Sequence, residues 1–550
     1  MSILCLGVPV RDDFGVLTII AFVLRTVFSS ATQAPSIHLC CQKPPEQTGT
    51  FMTLTPHAAL NLLRNAKGAQ QSVGIADALL QPFLLEDADL SQALSRAVVA
   101  QQQWQQKFDD GEVPDFFKMP EADAIVLLQQ GWLNFYPATS STPFIPLAAQ
   151  GPWVISAHGG VFLDVGGYGK DPLGHHPQAL QAVLNEPQVM MNVMTAQPSH
   201  WRLHQVVAQA LGIAPQTFKL QMLNSGSEGV ELALTYVERR MQQLASSTTS
   251  SWLINLHGSF HGRTARPARV SDSTKSAYQN AGLDRRTPYE IKTITMNDNT
   301  ALQQIFAQAA QQGAQIVGMI IEMVQGEGNP GAAVTPEFYQ QASALCQQAQ
   351  AVLIVDSVQA GWRAYGTLSP LSDPAFQQLP RPAIEVLSKA IHGGIYPCSL
   401  IVIDQSIADS FARGTYGNTM TANPKACDLI IRMCELMTPT LQANLHARSA
   451  QWFAGLQQLQ QQFPQLIEKV QGTGLLLAIK IARRQSELVI PVMGASGLER
   501  ACRMAGLNII HGGKDDCLRL TPAFNFNVGQ VTLALQLITT VFAQAVATRT

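Results

Sequence analysis

Charge is scarce in this sequence. Asp, Glu, Lys and Arg supply 13% of its 550 residues, with a formal net charge of −2, about half the usual ~25% charged fraction. No Lys/Arg run is present to neutralise phosphates, which argues against a nucleic-acid binder. Glutamine stands in for much of the missing charge. The 46% hydrophobic residues, with 7% aromatics, are ordinary for a globular protein and argue against a disordered one. Paired cysteines are missing too. The nine, at 5, 40, 41, 346, 398, 427, 434, 502 and 517, form no C-x-x-C pair and no cluster with histidine at zinc spacing. An odd, scattered set suits a reducing compartment and argues against a disulfide framework or a structural metal. The length allows two or three domains around a large core. A cytoplasmic, multi-domain protein is expected, with no membrane or nucleic-acid partner.

A membrane-length apolar run is also lacking near the amino end. Phe14 to Phe28 (FGVLTIIAFVLRTVF) is the most apolar stretch near the amino end, but it is too short to span and contains Arg25. Arg11, Asp12 and Asp13 precede it where a secretion signal would carry a basic region. Pro44, Pro45 and Gly49 then lead to Met52. Residues 1–51 are expected to be a poorly structured leader, an over-extended reading frame whose natural start is Met52. From there to about Trp132 the chain is Gln- and Ala-rich, with helical spacing at Leu90, Leu94 and Val98 and again at Ile125, Leu128 and Trp132. This reads as a helical extension over 52–140 without catalytic signal. The Gln runs 101–106 and 457–462 are interrupted by Trp or flanked by Leu and Phe, which suits solvated helix faces.

The middle of the chain alternates strands and helices. Ile316 to Val324 (IVGMIIEMV) and Ala351 to Val355 (AVLIV) are nearly continuous apolar runs. Between them Thr335-Pro336-Glu337 carries an N-cap, a proline at the first helical position and an acid in the first turn. A strand–helix–strand unit of this length is a parallel crossover, so the sheet is α/β and buried on both faces. Ligands of such sheets sit at the carboxyl ends of strands. Four segments stand there. Asp356 follows AVLIV and needs a cationic or protonated partner if buried, although a loop cap would serve a lone Asp as well. Lys389 lies on a cramped turn before Gly393-Gly394, where an amine's pKa can fall, although a surface lysine is the plainer reading. Asn224-Ser225-Gly226-Ser227 opens a helix whose first N–H groups suit an anion, though Glu228 and Glu231 suit simple capping. Phe260-His261-Gly262-Arg263 follows the strand-like WLINL and combines an aromatic face with a guanidinium.

Together these segments resemble the class III aminotransferases, pyridoxal-phosphate (PLP) enzymes that include ornithine and 4-aminobutyrate aminotransferases. The resemblance runs from about Pro143 to Phe542. It opens on GVFLDVGGYGKDPLGHHP (160–177) and continues, in the family's order, through NSGSE (224–228), FHGR (260–263), QGEG (325–328), VDSVQAG (355–361), SKAIHGGIYP (388–397), GTYGNTMTANP (414–424) and LRLTP (518–522). It implies fold type I: a large domain (185–425) with a mostly parallel seven-stranded sheet, and a small α+β domain (141–184 and 426–550). LLLAIKIA (475–482) and CLRL (517–520) would be strands of the latter, with a closing helix from about Val528. It also implies PLP held by Lys389 as Schiff-base lysine and proton carrier, with Asp356 on the pyridine nitrogen. Gln359 would bond the phenolic oxygen, Phe260 would stack on the ring, and Gly226 and Ser227 would hold the phosphate. Thr419 would come from the neighbouring subunit of a homodimer. Arg263 would grip a substrate carboxylate. Glu327 and Arg519 match the family's switch pair, closed for an amine-bearing substrate end and parted for the second carboxylate of 2-oxoglutarate.

The activity this implies is transfer of an amino group from an ω-amino acid or diamine-type donor to 2-oxoglutarate or a similar oxo acid, by a ping-pong mechanism. Some positions depart from the family. Ser357 replaces a common Glu, Met323 a Pro and His392 a glycine, while Asn418, Met420 and Thr421 alter the loop around Thr419. These leave the donor open. An aminomutase or racemase on the same cofactor, or a non-catalytic PLP-binding scaffold, are the alternatives. Trp362 and Tyr168 suit either the pocket entrance or packing.

Overall fold

The structure, a computed structural model, describes residues 54–65, 68–136, 141–167, 169–244, 250–283, 286–410, 413–482, 494–512 and 517–547. The expected leader 1–51 and Tyr168 lie outside the described residues. The amino-terminal part is helical, with α1 (Pro56–Arg64), α2 (Asp77–Glu86), α3 (Ala88–Asp109) and α4 (Glu121–Gln129). Thr55 starts α1 by accepting the Ala58 N–H, ahead of a proline at the first helical position. Leu60, Leu63, Leu90 and Leu94 are buried in one core cluster with Trp153, Ile155 and Val161. Those last three belong to β2 (Trp153–Ser156) and β3 (Val161–Asp164), which join β1 (Pro146–Gln150) in an antiparallel meander. The extension is therefore packed onto a sheet. Its helical pattern ends earlier than the spacing predicts. α4 stops at Gln129, and Trp132 is 81% exposed. Gly131 follows the last turn, and no burial repays ordering beyond it.

Two helices, α5 (Gln178–Asn185) and α6 (Pro198–Leu211), lead into the central sheet. In chain order this comprises β4 (Phe218–Leu223), α7 (Gly226–Leu244), β5 (Ser251–Leu256), β6 (Glu290–Ile294), α8 (Asn299–Gln312), β7 (Gln315–Glu322), α9 (Pro336–Gln348), β8 (Val352–Asp356), β9 (Ile384–Leu387) and β10 (Ser399–Asp404). The seven strands lie in the order β4-β10-β9-β8-β7-β5-β6. β10 is antiparallel to both neighbours, and the remaining neighbouring pairs are parallel. The expected crossover is β7–α9–β8, and Thr335 caps α9 by accepting the Phe338 N–H. β7 and β8 are buried almost throughout because helices cover both faces, which is why they read as unbroken apolar runs. One core cluster on the sheet gathers Phe338 and Tyr339 of α9 with Met319 and Leu353, and another gathers Val230 and Val237 of α7 with Ile320 and Ile354.

The carboxy-terminal part adds α10 (Pro424–Leu436), α11 (Pro439–Gln462), β11 (Ile467–Thr473), β12 (Leu476–Ile481), α12 (Gly494–Met504), β13 (Leu507–Asn508), β14 (Ile510–Gly512), β15 (Cys517–Leu520) and α13 (Val528–Ala547). The predicted strands and closing helix stand where the sequence places them. β13 extends the β1–β3 sheet, and a second four-stranded sheet runs β11-β12-β15-β14. The apolar length of α13 goes into the core through Val531, Leu537, Ile538 and Phe542. The 101–106 and 457–462 glutamines lie on α3 and α11, where most are exposed. From Leu54 onward the described chain forms one compact unit. Six described cysteines are free thiols, five of them buried.

Candidate active site

Parallel strands deliver several loops to one edge of the sheet. β7 and β8 pair in register, Glu322 opposite Asp356, so two buried carboxyl groups arrive side by side at their carboxyl ends. The loop after β4 brings Asn224 to Ser227, the loop after β5 brings Phe260 to Gly262, and the turn after β9 brings Ser388 and Lys389. Together with Val358, Gln359, His392 and Pro397 they line a cleft of about 320 Å³. That falls in the range of small-molecule sites. Six residues singled out in the sequence meet there: Gly226, Ser227, Phe260, Asp356, Gln359 and Lys389.

Lys389 has φ 53°, left-handed for a residue with a Cβ, and Gly393 and Gly394 follow at positive φ. Such strain persists only where the surroundings impose it. Burial pushes its ammonium down to about 8, with Glu327 opposing and Arg519 adding to the shift. Asp356 is held from two sides, since His261 Nδ1 donates to Oδ2 at 2.9 Å and the Val358 N–H donates to Oδ1 at 3.1 Å. Each oxygen keeps a lone pair for a further donor. Glu322 carried no separate signal beyond its place in the IIEMVQGEG run, yet it ties the site together. Its Oε2 accepts the Phe260 N–H at 2.8 Å and its Oε1 the Gly326 N–H at 3.2 Å. Burial first, then the neighbouring Asp356 charge, raise its pKa well above the usual carboxylate range.

Glu327 and Arg519 come together from different parts of the chain. β15 pairs with β12 and β14, which carries Arg519 to the QGEG turn, where Nη1 lies 2.6 Å from Glu327 Oε1 and donates to the Gly326 carbonyl at 2.7 Å. Burial, the largest single influence, would raise the Glu327 pKa, but Arg519, Lys389 and Arg263 together outweigh it and the carboxyl is held below its ordinary value. Gln359 Nε2 reaches Glu327 Oε1 at 3.4 Å, linking the pair to the cleft. Four predicted residues do not line it: Glu327 and Arg519, which reach it only through Gln359, and Arg263 and Thr419. Arg263 is exposed at its edge, with its guanidinium carbon 5.4 Å from the Phe260 ring centroid. Thr419 lines a second cavity of about 1170 Å³, with Asn192, Trp201 and Tyr416.

The departures from the family also find places. Ser357 donates to Glu385 Oε1 at 2.6 Å, so a neighbouring strand supplies a carboxylate beside it. His392 lines the cleft, and burial pushes its imidazole down to about 4. Trp362 is 3% exposed and belongs to the core, so it packs rather than guarding the entrance. Folding also brings Asp164, Asp171 and His175 together, a grouping that sequence spacing does not reveal. Asp164 and His175 pair at 2.8 Å, and Asp171 pairs with Lys170.

A seven-stranded α/β sheet with a strained lysine, a buried aspartate and a small-residue helix start around one cleft defines a fold type I enzyme. Residues 136–542 match the family Aminotransferase class-III, and the chain belongs to it: it is a PLP-dependent aminotransferase. It is 29% identical over 384 residues to the acetylornithine aminotransferase of Xanthomonas axonopodis pv. citri, covering 68% of this chain and 87% of that protein. Similarity to the putrescine aminotransferase of Pectobacterium atrosepticum is 30% over 346 residues, covering 61% and 70%. The ornithine aminotransferase of Toxoplasma gondii shares the fold with a TM-score of 0.68 at 19% identity, over 80% of this chain and 98% of that one.

The cleft fits the cofactor on its own terms. Gln359 Oε1 and His261 Nε2 are buried without partners among the described residues, which is costly unless a ligand or water satisfies them. A Cβ on Gly226 would stand 2.8 Å from Val358, so the helix start is pressed tightly against the pocket wall. Ser225 Oγ accepts the Glu228 N–H there at 3.3 Å and Glu228 Oε2 the Asn224 N–H at 3.0 Å, and a helix start of this kind can hold an anion.

Proposed function

We propose that this aminotransferase moves an amino group from an ω-amino acid or diamine-type donor to 2-oxoglutarate or a similar oxo acid, in a ping-pong cycle through one pocket. When bound, PLP supplies the electron sink that makes the substrate Cα–H acidic and stores the amino group between half-reactions. Gly226 and Ser227 would hold its phosphate, Phe260 its ring face, Gln359 its phenolic oxygen, Asp356 its nitrogen and Lys389 its aldehyde carbon. Lys389 Nζ would also carry the substrate Cα proton, a task suited to an amine whose pKa burial pushes down to about 8. Arg263 binds a substrate carboxylate. Thr419 completes the phosphate site of a partner subunit in a homodimer. Its own position outside the cleft supports this, as do exposed apolar residues near it, Met194 at 86% and Trp201 at 70%. We assign 185–425 to the large domain and 141–184 with 426–550 to the small one. The free thiols favour a cytoplasmic setting.

The observation that carries the substrate reading is the Glu327–Arg519 pair at 2.6 Å. Closed, it presents no net charge to an amine-bearing chain. Parted, Arg519 meets a second carboxylate. The names of the relatives, among them ornithine and putrescine aminotransferases, support the donor class. Arg519→Ala should raise KM for 2-oxoglutarate about 10- to 100-fold, the value of a lost charged hydrogen bond, and affect the donor half-reaction far less. Stopped-flow spectra of the separate half-reactions measure both, and equal damage to the two would overturn this reading.

A further inference from the structure

The cationic edge of the cleft is built partly by the amino-terminal extension. Arg263 makes no ion pair among the described residues, and its guanidinium carries no hydrogen bond there either. Aromatic rings hold it instead: its Cζ lies 5.4 Å from the Phe260 centroid and 5.3 Å from that of Phe135. Phe135 is itself 4.1 Å from Tyr136, centroid to centroid. A continuous ladder thus runs from the cleft wall at Phe260 through Arg263 to Phe135 and Tyr136. Tyr278 Oη donates to the Arg263 carbonyl at 3.2 Å and steadies its backbone. Phe135 follows α4 and lies one residue before the family match begins. It is 67% exposed, so burial in the core does not account for where its ring sits.

We infer that Phe135 is a specificity-determining residue, which holds the Arg263 guanidinium by its face so that the N–H edge stays free for a substrate carboxylate. This rests on the reading of Arg263 given above. A guanidinium prefers the face of an aromatic ring, and a stacked one loses less side-chain entropy when it then forms in-plane, bidentate bonds. Ring contact also excludes water from the guanidinium, which strengthens its attraction for an anion arriving at the edge. The substrate class favoured is therefore one with a carboxylate, over amines that have none.

The test uses the holoenzyme, with glutarate as an unreactive dicarboxylate, and calorimetric dissociation constants. Phe135→Ala and Phe135→Leu should weaken glutarate about two- to five-fold, the usual range for a cation–π contact at an exposed site, and Phe135→Tyr should restore it. KM for a carboxylate-bearing donor should rise by the same factor relative to KM for putrescine, a contrast that simple opening of the entrance would not produce. Arg263→Ala separates the two layers of the argument. If it abolishes glutarate binding while Phe135→Ala binds as wild type does, the inference about Phe135 is overturned and the role of Arg263 stands. If Arg263→Ala binds glutarate normally, both fall.

Discussion

Lys389 joins chemistry and backbone strain in one residue. Its ordinary value of 10.5 falls to about 8 mainly because burial penalises the ammonium. Between those two values the unfolded chain holds a proton that the folded chain has lost, so the apoprotein gains stability as pH rises through this interval. Below about 8 the folded state carries a buried charge, and the penalty is at its largest. Lys389→Met should therefore raise the apoprotein's melting temperature at neutral pH by about 1–3 °C, with the difference fading toward pH 10.5, while removing turnover entirely. Calorimetry across pH checks the sign. Cofactor uptake by the apoenzyme, followed by absorbance, should accelerate as pH rises through about 8 and then level off.

At the scale of elements, the site is an interlock of turns that follow parallel strands. The turn after β7 presses on the turn after β5 so closely that a Cβ on Gly328 would stand 2.0 Å from the Gly258 carbonyl oxygen. Backbone meets backbone there, and no side chain can move aside. Gly328→Ala should cost about 3 kcal/mol or more, in line with overpacked and strained sites. It should also lower cofactor affinity, because the same turn carries Glu327 and Gly326. Thermal unfolding together with PLP titration of the apoenzyme measures both effects. A stable variant with normal affinity would show that the two turns can separate freely.

For the whole molecule the test is whether active sites are shared. If Thr419 serves a partner's phosphate site, Lys389→Ala and Thr419→Ala subunits complement each other. A mixed dimer then has one site with both defects and one with neither. Random exchange should recover about a quarter of wild-type activity at limiting PLP from two preparations that are inactive or weak alone, as two-fold symmetry requires. Activity that never exceeds the sum of the parents would show that each subunit completes its own site.

Much of this protein was legible in the chain itself. The crossover from β7 to β8 and the Thr335 cap follow from local periodicity and capping, which neighbours in sequence decide, while the strands at 476–481 and 517–520 and the helix at Val528 follow from the resemblance to the class III aminotransferases. The cleft residues Gly226, Ser227, Phe260, Asp356, Gln359 and Lys389 were legible through the same resemblance, because motifs at strand ends travel with their strands. Partnerships between distant residues were not. That Glu322 lies beside Asp356 depends on strand register, that Arg519 reaches Glu327 depends on β15 joining a separate sheet, and that Phe135 stacks on Arg263 depends on where the extension docks. The helix past Gln129 failed for the complementary reason: apolar spacing promises a face, but only packing against something makes that face a helix. Local backbone preference is encoded within a few residues, whereas contact across hundreds of residues is decided by how whole layers bury their surfaces.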